Sequence, residues 1–220
     1  MGVGKSTQLN LTAKALRQKG VKVSITQLKA LHVFCGFFII LVAALLRENS
    51  GKNPFRVLRT KRVEVAAKLF PVMTLLDIPS FTIRYWLNVA LPLKLGRVVL
   101  VEECMYGTLA EYFFWWKNMK TRDRVSAGFM CLIERLIYKN QLSTFTVYLN
   151  ASYPHLTARI AHRNTYTEDL KYIQMQQSTL LSLARSLSPT EQFHYIDTTN
   201  KDVQTVKLQM FPIVEKALGL

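Results

Sequence analysis

The chain has 220 residues, half of them hydrophobic and 11% aromatic, which excludes a disordered or fibrous protein and suffices for one α/β domain with a buried core. Its formal net charge of +15 points to anionic partners, namely nucleotides, nucleic acid or a membrane surface, and carries no information on fold. The cysteines, Cys35, Cys104 and Cys131, are odd in number and form no CxxC pair, which argues against a disulfide framework or a zinc site and fits a reducing, cytoplasmic compartment.

In chain order, the spacing of Leu9, Ala13 and Leu16 predicts a helix over 6–19, ended by Gly20. The alternation VKVSI predicts a strand over 21–25. The uncharged run VFCGFFIILVAALL, 33–46, is too short for a bilayer crossing of about 20 residues, so it reads as a buried core helix, with an interfacial segment as the alternative. The polar, basic stretch 48–62 reads as a surface loop. Helices are expected over 63–76 and 80–95, separated by Pro79. VVLV, 98–101, reads as a fully buried parallel strand. A helix from about Gly107 and another over 122–139 follow, then a strand at 145–149. Pro154 suits the first turn of a helix running to 163. A helix over 168–187, a strand at 193–196 and a closing helix over 203–218 complete the pattern. Strands alternating with helices imply a parallel sheet covered on both faces. No secretory leader is expected, since Met1 is followed by a polar, glycine-rich segment.

The opening residues MGVGKST match the end of the phosphate-loop pattern G-x-x-x-x-G-K-[ST] through Gly4, Lys5 and Ser6. Gly2 and Gly4 let the backbone approach phosphate oxygens. The amides of Gly2, Val3, Gly4, Lys5, Ser6 and Thr7 would form an anion nest at a helix N-terminus. Lys5 would bridge the β- and γ-phosphates, and the Ser6 hydroxyl would bind Mg²⁺. The pattern's first glycine would fall two residues before Met1. The expectation is therefore that Met1 is internal and that the natural chain starts about 10 to 15 residues earlier, one strand plus the front of the loop. If 220 residues is the whole protein, weak ATP affinity and poor stability are expected.

Four segments together resemble the thymidylate kinase family, especially its divergent archaeal-type members. These are GVGKSTQ with KGVKV after it, LGRVVLVEECMYGTLAEY, TVYLNASYPHLTARIAHR and HYIDTT. The resemblance implies a P-loop NTPase-type three-layer α/β/α fold with a parallel sheet, its first strand missing from this sequence, and a single kinase domain over 1–220 with a lid at about 155–170. It implies phosphoryl transfer from ATP to a nucleoside monophosphate, dTMP or a related pyrimidine nucleotide, with Mg²⁺. A homodimer is implied by analogy, with helix 33–46 as a candidate interface, and no transmembrane span is expected.

Within that frame Ser6 and Glu102 are the metal candidates, and Lys5, Glu102, Arg159 and Arg163 the catalytic ones. Arg159 and Arg163 are four apart and would share a helix face, where guanidinium groups could meet phosphoryl charge. Arg84 and Tyr106 are candidates for holding the acceptor. The sequence departs from the family at Glu103, where the family has an arginine after the acid, and it lacks the family's early Arg-Glu-Pro element. The incomplete loop and the lost arginine leave open a non-catalytic ATP-binding protein. The charge alone leaves open a basic nucleic-acid-binding protein, whose affinity would fall steeply with salt.

Overall fold

The computed structural model describes residues 3–29, 31–47, 58, 61–102, 105–119, 123–139, 145–162, 170–187 and 192–220. The chain order is α1 (Lys5–Gln18), β1 (Val23–Gln27), α2 (Phe34–Leu45), α3 (Val63–Tyr85), β2 (Val98–Glu102), α4 (Met105–Met119), α5 (Arg124–Lys139), β3 (Thr146–Asn150), α6 (Tyr153–His162), α7 (Leu170–Leu187), β4 (Phe193–Asp197) and α8 (Val203–Leu218). The architecture is mixed α/β and mostly helical. β1 pairs with β2 and β3 with β4, both in parallel. Each pair is joined by a helical crossover, as parallel strands require. Among the described residues no backbone ladder links one pair to the other.

Two apolar clusters fill the interior. The first lies among α2, α3, α4 and α5 and is rich in rings. Phe70 of α3 stacks on Trp115 of α4 at 5.7 Å between centroids, and Phe129 of α5 meets Tyr112 edge-on at 4.8 Å. The aromatic run in α4 is thus core packing. The second cluster holds Ala13 and Leu16 of α1 and Val206, Met210 and Val214 of α8 against both strand pairs. Val23, Val98 and Leu100 come from one pair; Val147, Leu149 and Ile196 come from the other.

Four expectations need correction. The first strand lies at Val23–Gln27, two residues later than the alternation suggested. Pro79 does not divide two helices: α3 runs through Pro71 and Pro79 and continues by a π-helical turn, Trp86–Ala90, into Leu91–Lys94. Its buried stripe, Phe70, Met73, Asp77, Ser80 and Phe81, passes through Pro79 without a change of phase. A proline inside a helix costs about 3 kcal/mol, and burying one large apolar side chain such as Phe81 regains about 1.5–3 kcal/mol. β2 is not fully buried: all five residues are half-buried, and among the described residues it has a ladder partner on one edge only. α2 is not a buried helix either; it buries only Cys35, Ile39 and Ala43 against the core. Most of 48–62 lies outside the described residues, but Leu58 there is buried in the first cluster rather than at the surface.

Among the described residues, Val63–Lys94 is long and apolar enough to cross a membrane by length and composition alone. One stripe of it, with Phe70, Asp77 and Phe81, packs beneath neighbouring helices, while Val72, Leu75, Ile83 and Leu87 are exposed.

Asp77 is the buried polar centre of that helix. Its Oδ2 accepts from the Leu31 N–H at 2.8 Å and from the Tyr112 hydroxyl at 3.0 Å. Leu31 and Val33 have φ of 59° and 57°, a costly conformation for β-carbon residues, and the carboxylate pins the chain there between β1 and α2. Burial pushes the Asp77 carboxyl up to about 6, against the lowering effect of the Leu31, Tyr112 and His32 hydrogen bonds and of the Arg84 charge. The folded pKa therefore exceeds the unfolded value, so Asp77's contribution to stability falls as pH rises through that window. We expect the stability of the native chain relative to Asp77→Asn to fall by up to about 3 kcal/mol between pH of about 4 and about 7. Urea unfolding at a series of pH values measures this, and a flat difference would contradict it.

Candidate functional site

Gly4 opens α1 in the left-handed region, φ 85° and ψ 15°, where a β-carbon would be strained. No side chain caps the helix, and its first turn carries no acid. The amides of such a turn have no acceptor within the helix, and the positive end of its dipole is uncompensated from within. The compensation comes from 96 residues away: Ser6 Oγ donates to Glu102 Oε1 at 2.5 Å. Glu102 ends β2, so the carboxylate is delivered by a strand terminus to the head of α1.

Val3 fixes the other side of the loop. It is buried against Ala151 and Leu156, just past β3 and within α6. Residues 3–6 thus bridge the C-terminal end of β2 and that of β3. Lys5 is half-buried in this turn, and Ser6 and Thr7 are exposed. Gly2 lies outside the described residues.

The remaining candidates divide. Arg84 stands at the end of β1, donating through Nη2 to the Gln27 carbonyl at 2.5 Å and through Nη1 to the Lys29 carbonyl at 3.4 Å. Gln27 is the register partner of Glu102, so Arg84 and Glu102 belong to the same end of one strand pair. Tyr106 is buried in the first cluster. Trp86, in the π-helical turn after α3, is exposed.

Arg159 stands at the end of the second pair. Its guanidinium donates to the Thr198 carbonyl at 3.1 Å and to the Thr198 hydroxyl at 3.4 Å. Thr198 in turn bonds the Asn150 carbonyl through its amide and its hydroxyl, at 2.7 and 2.9 Å. Asp197 beside it is exposed, and the Thr199 hydroxyl and amide hold its carboxyl below the usual range. Glu103 and Arg163 lie outside the described residues, so the shared face expected for Arg159 and Arg163 is not tested.

Sequence reasoning missed three groups. Gln27 was hidden because its backbone oxygen does the binding, and Thr198 because its backbone groups bind beside its hydroxyl. Asp77 had a signal: a carboxylate in the apolar run 69–83, seven residues after Phe70 and three after Thr74, hence on the buried stripe of the helix.

The donor set at the head of α1 fits magnesium. Ser6 and Glu102 supply hard oxygens, and Mg²⁺ binds through one or two such groups while keeping its waters. Among the described residues no cluster of three or more His, Cys, Asp or Glu offers a metal a full protein cage. No model of a known protein family matches this chain, and neither does any curated protein.

The Arg84 fork yields a prediction independent of function. Arg84→Ala should lower stability by about 1–3 kcal/mol, since two backbone carbonyls lose a charged donor. Arg84→Lys should recover less than half, because an ammonium cannot span both oxygens. Equal unfolding midpoints for Arg84→Lys and the native chain in urea would show that the fork is not needed.

Proposed function

We propose that this chain carries a P-loop kinase fold and catalyses ATP-dependent phosphoryl transfer to a nucleoside monophosphate, dTMP or a related pyrimidine nucleotide. The observation that carries the reading is the meeting of Ser6 and Glu102 at the uncapped head of α1. A hydroxyl, a carboxylate, a helix N-terminus, a left-handed glycine and a lysine within three residues are the parts that phosphate and its metal require. The parallel strand pairs support the fold, and each pair has edges without a ladder partner among the described residues, where a further parallel strand could add.

In this reading the amides of residues 4–6 and the Lys5 ammonium grip the triphosphate. Ser6 and Glu102 would hold Mg²⁺, which supplies charge neutralisation on the phosphate oxygens. An oxygen of the acceptor monophosphate attacks the γ-phosphorus; the bond to the β-γ bridging oxygen breaks, leaving ADP and a nucleoside diphosphate. Positioning and electrostatics suffice, with no covalent intermediate on the protein.

A second reading, nucleotide binding without transfer, has one observation in its favour. Arg84 and Arg159 donate to backbone carbonyls at the strand ends, not toward the loop. Incubation with Mg-ATP and a panel of monophosphates, following ADP release, separates the two. Turnover with at least one pyrimidine monophosphate is expected for the kinase. Binding by titration calorimetry without turnover supports the second reading, and absence of both removes the phosphate-loop assignment.

Lys5→Ala should weaken Mg-ATP binding by about tenfold or more, the loss of one charge-assisted contact. Ser6→Ala should leave nucleotide affinity in EDTA unchanged while raising the Mg²⁺ concentration needed for half-maximal binding. Calorimetry at several Mg²⁺ concentrations distinguishes the two roles.

A further inference from the structure

α2 presents a face that is exposed among the described residues. Cys35, Ile39 and Ala43 turn inward against α3, while Phe34, Phe37, Ile40, Leu41 and Leu45 on the opposite face are exposed. Phe37 and Leu45 keep 72% and 74% of their surface in water. From Phe34 to Leu46 the sequence holds no charged, amide or hydroxyl side chain. Exposed faces of this kind on a soluble chain mark an interaction site.

The sequence after α2 is mostly basic up to Glu64, an exposed acid in the first turn of α3. From 47 to 62 the sequence carries Arg47, Lys52, Arg56, Arg59, Lys61 and Arg62 against the single acid Glu48. Arg47, just beyond α2, and Lys61 and Arg62, at the head of α3 on which α2 packs, are exposed. A second copy of the chain on this face would bring two such basic segments, on two molecules each of formal charge +15, toward each other. An anionic surface would instead be attracted by them.

We propose that α2 docks this protein on an anionic phospholipid bilayer, its exposed apolar face lying in the headgroup–acyl boundary and the neighbouring lysines and arginines over the acidic headgroups. Twelve helical residues span about 18 Å, well short of the roughly 30 Å hydrocarbon core, so α2 lies in the interface and does not cross it. An apolar contact alone or a basic patch alone binds membranes weakly; together they anchor stably.

The test is co-sedimentation of the full chain with large unilamellar vesicles of phosphatidylcholine, with and without about 30 mol% phosphatidylserine. The native chain should partition at least about tenfold more strongly to the anionic vesicles, and the excess should vanish at about 1 M salt, where the Debye length is about 3 Å. Phe37→Ser/Leu41→Ser should lose at least about tenfold in partitioning while melting no lower than the native chain, since both side chains are exposed. Lys61→Gln/Arg62→Gln should weaken binding to anionic vesicles only. The proposal is overturned if the native chain stays in solution with anionic vesicles, if it binds both vesicle types alike, or if Phe37→Ser/Leu41→Ser binds like the native chain. Failure to bind vesicles together with a sedimenting dimer that Phe37→Ser/Leu41→Ser dissociates would make a second copy the occupant instead. None of these readouts involves nucleotide, so they stand or fall apart from the kinase reading.

Discussion

Side-chain packing beneath α1 and α8 joins two strand pairs that share no backbone ladder among the described residues. Parallel sheets normally gain rigidity from continuous hydrogen bonding between buried strands. Here that continuity is replaced by Ala13 and Leu16 on one helix and Val206, Met210 and Val214 on another, seated on residues of both pairs. The relative position of the two strand ends, and so of everything gathered at them, depends on this apolar contact. The loop at residues 3–6 reinforces it from the edge, with Val3 against Ala151 and Leu156 on one side and Ser6 against Glu102 on the other.

The first cluster does different work. It encloses Asp77, whose carboxylate holds the backbone of Leu31 in a left-handed conformation and accepts from Tyr112. Fixing that turn directs α2 across α3 and sets which of its faces is buried. The exposed ridge of α2 is therefore a consequence of a polar contact in the core: a helix apolar all round can bury only the stripe that its neighbour covers.

Much of the architecture was legible in the sequence, because it is written in local periodicity. Helical spacing gave α1, α5 and α8 nearly to their ends, and the short β-branched runs gave all four strands. What could not be read locally was burial. VVLV has the composition of a central strand, yet its second edge has no partner among the described residues, and partner number is a property of the whole sheet. The run 33–46 has the composition of a core helix, yet one face meets water. Pro79 was overrated as a breaker because the stripe it interrupts in sequence is uninterrupted in space. For the site, GKS and the acid after VVLV could be picked out singly, and their meeting across 96 residues required the fold. The roles given to Arg84 and Arg159 did not anticipate their backbone partners, since a carbonyl leaves no trace in side-chain sequence.

Those two arginines follow one physical rule. Where the chain leaves a strand its carbonyl oxygens lose their ladder partners, and a guanidinium fork is the side chain best shaped to bind two oxygens at once. The first pair ends in Glu102 with Arg84 clasping Gln27 and Lys29; the second ends in Asp197 with Arg159 clasping Thr198. The construction is repeated, with an acid and an arginine at each strand end and residues 3–6 between them. An arginine engaged in this way stabilises the strand end and is not aimed at a ligand. Transfer of a phosphoryl group would then rest on Lys5 and the amides at the head of α1 unless the forks exchange carbonyl for phosphate oxygen, an exchange of a neutral acceptor for a charged one and so favourable in electrostatic terms.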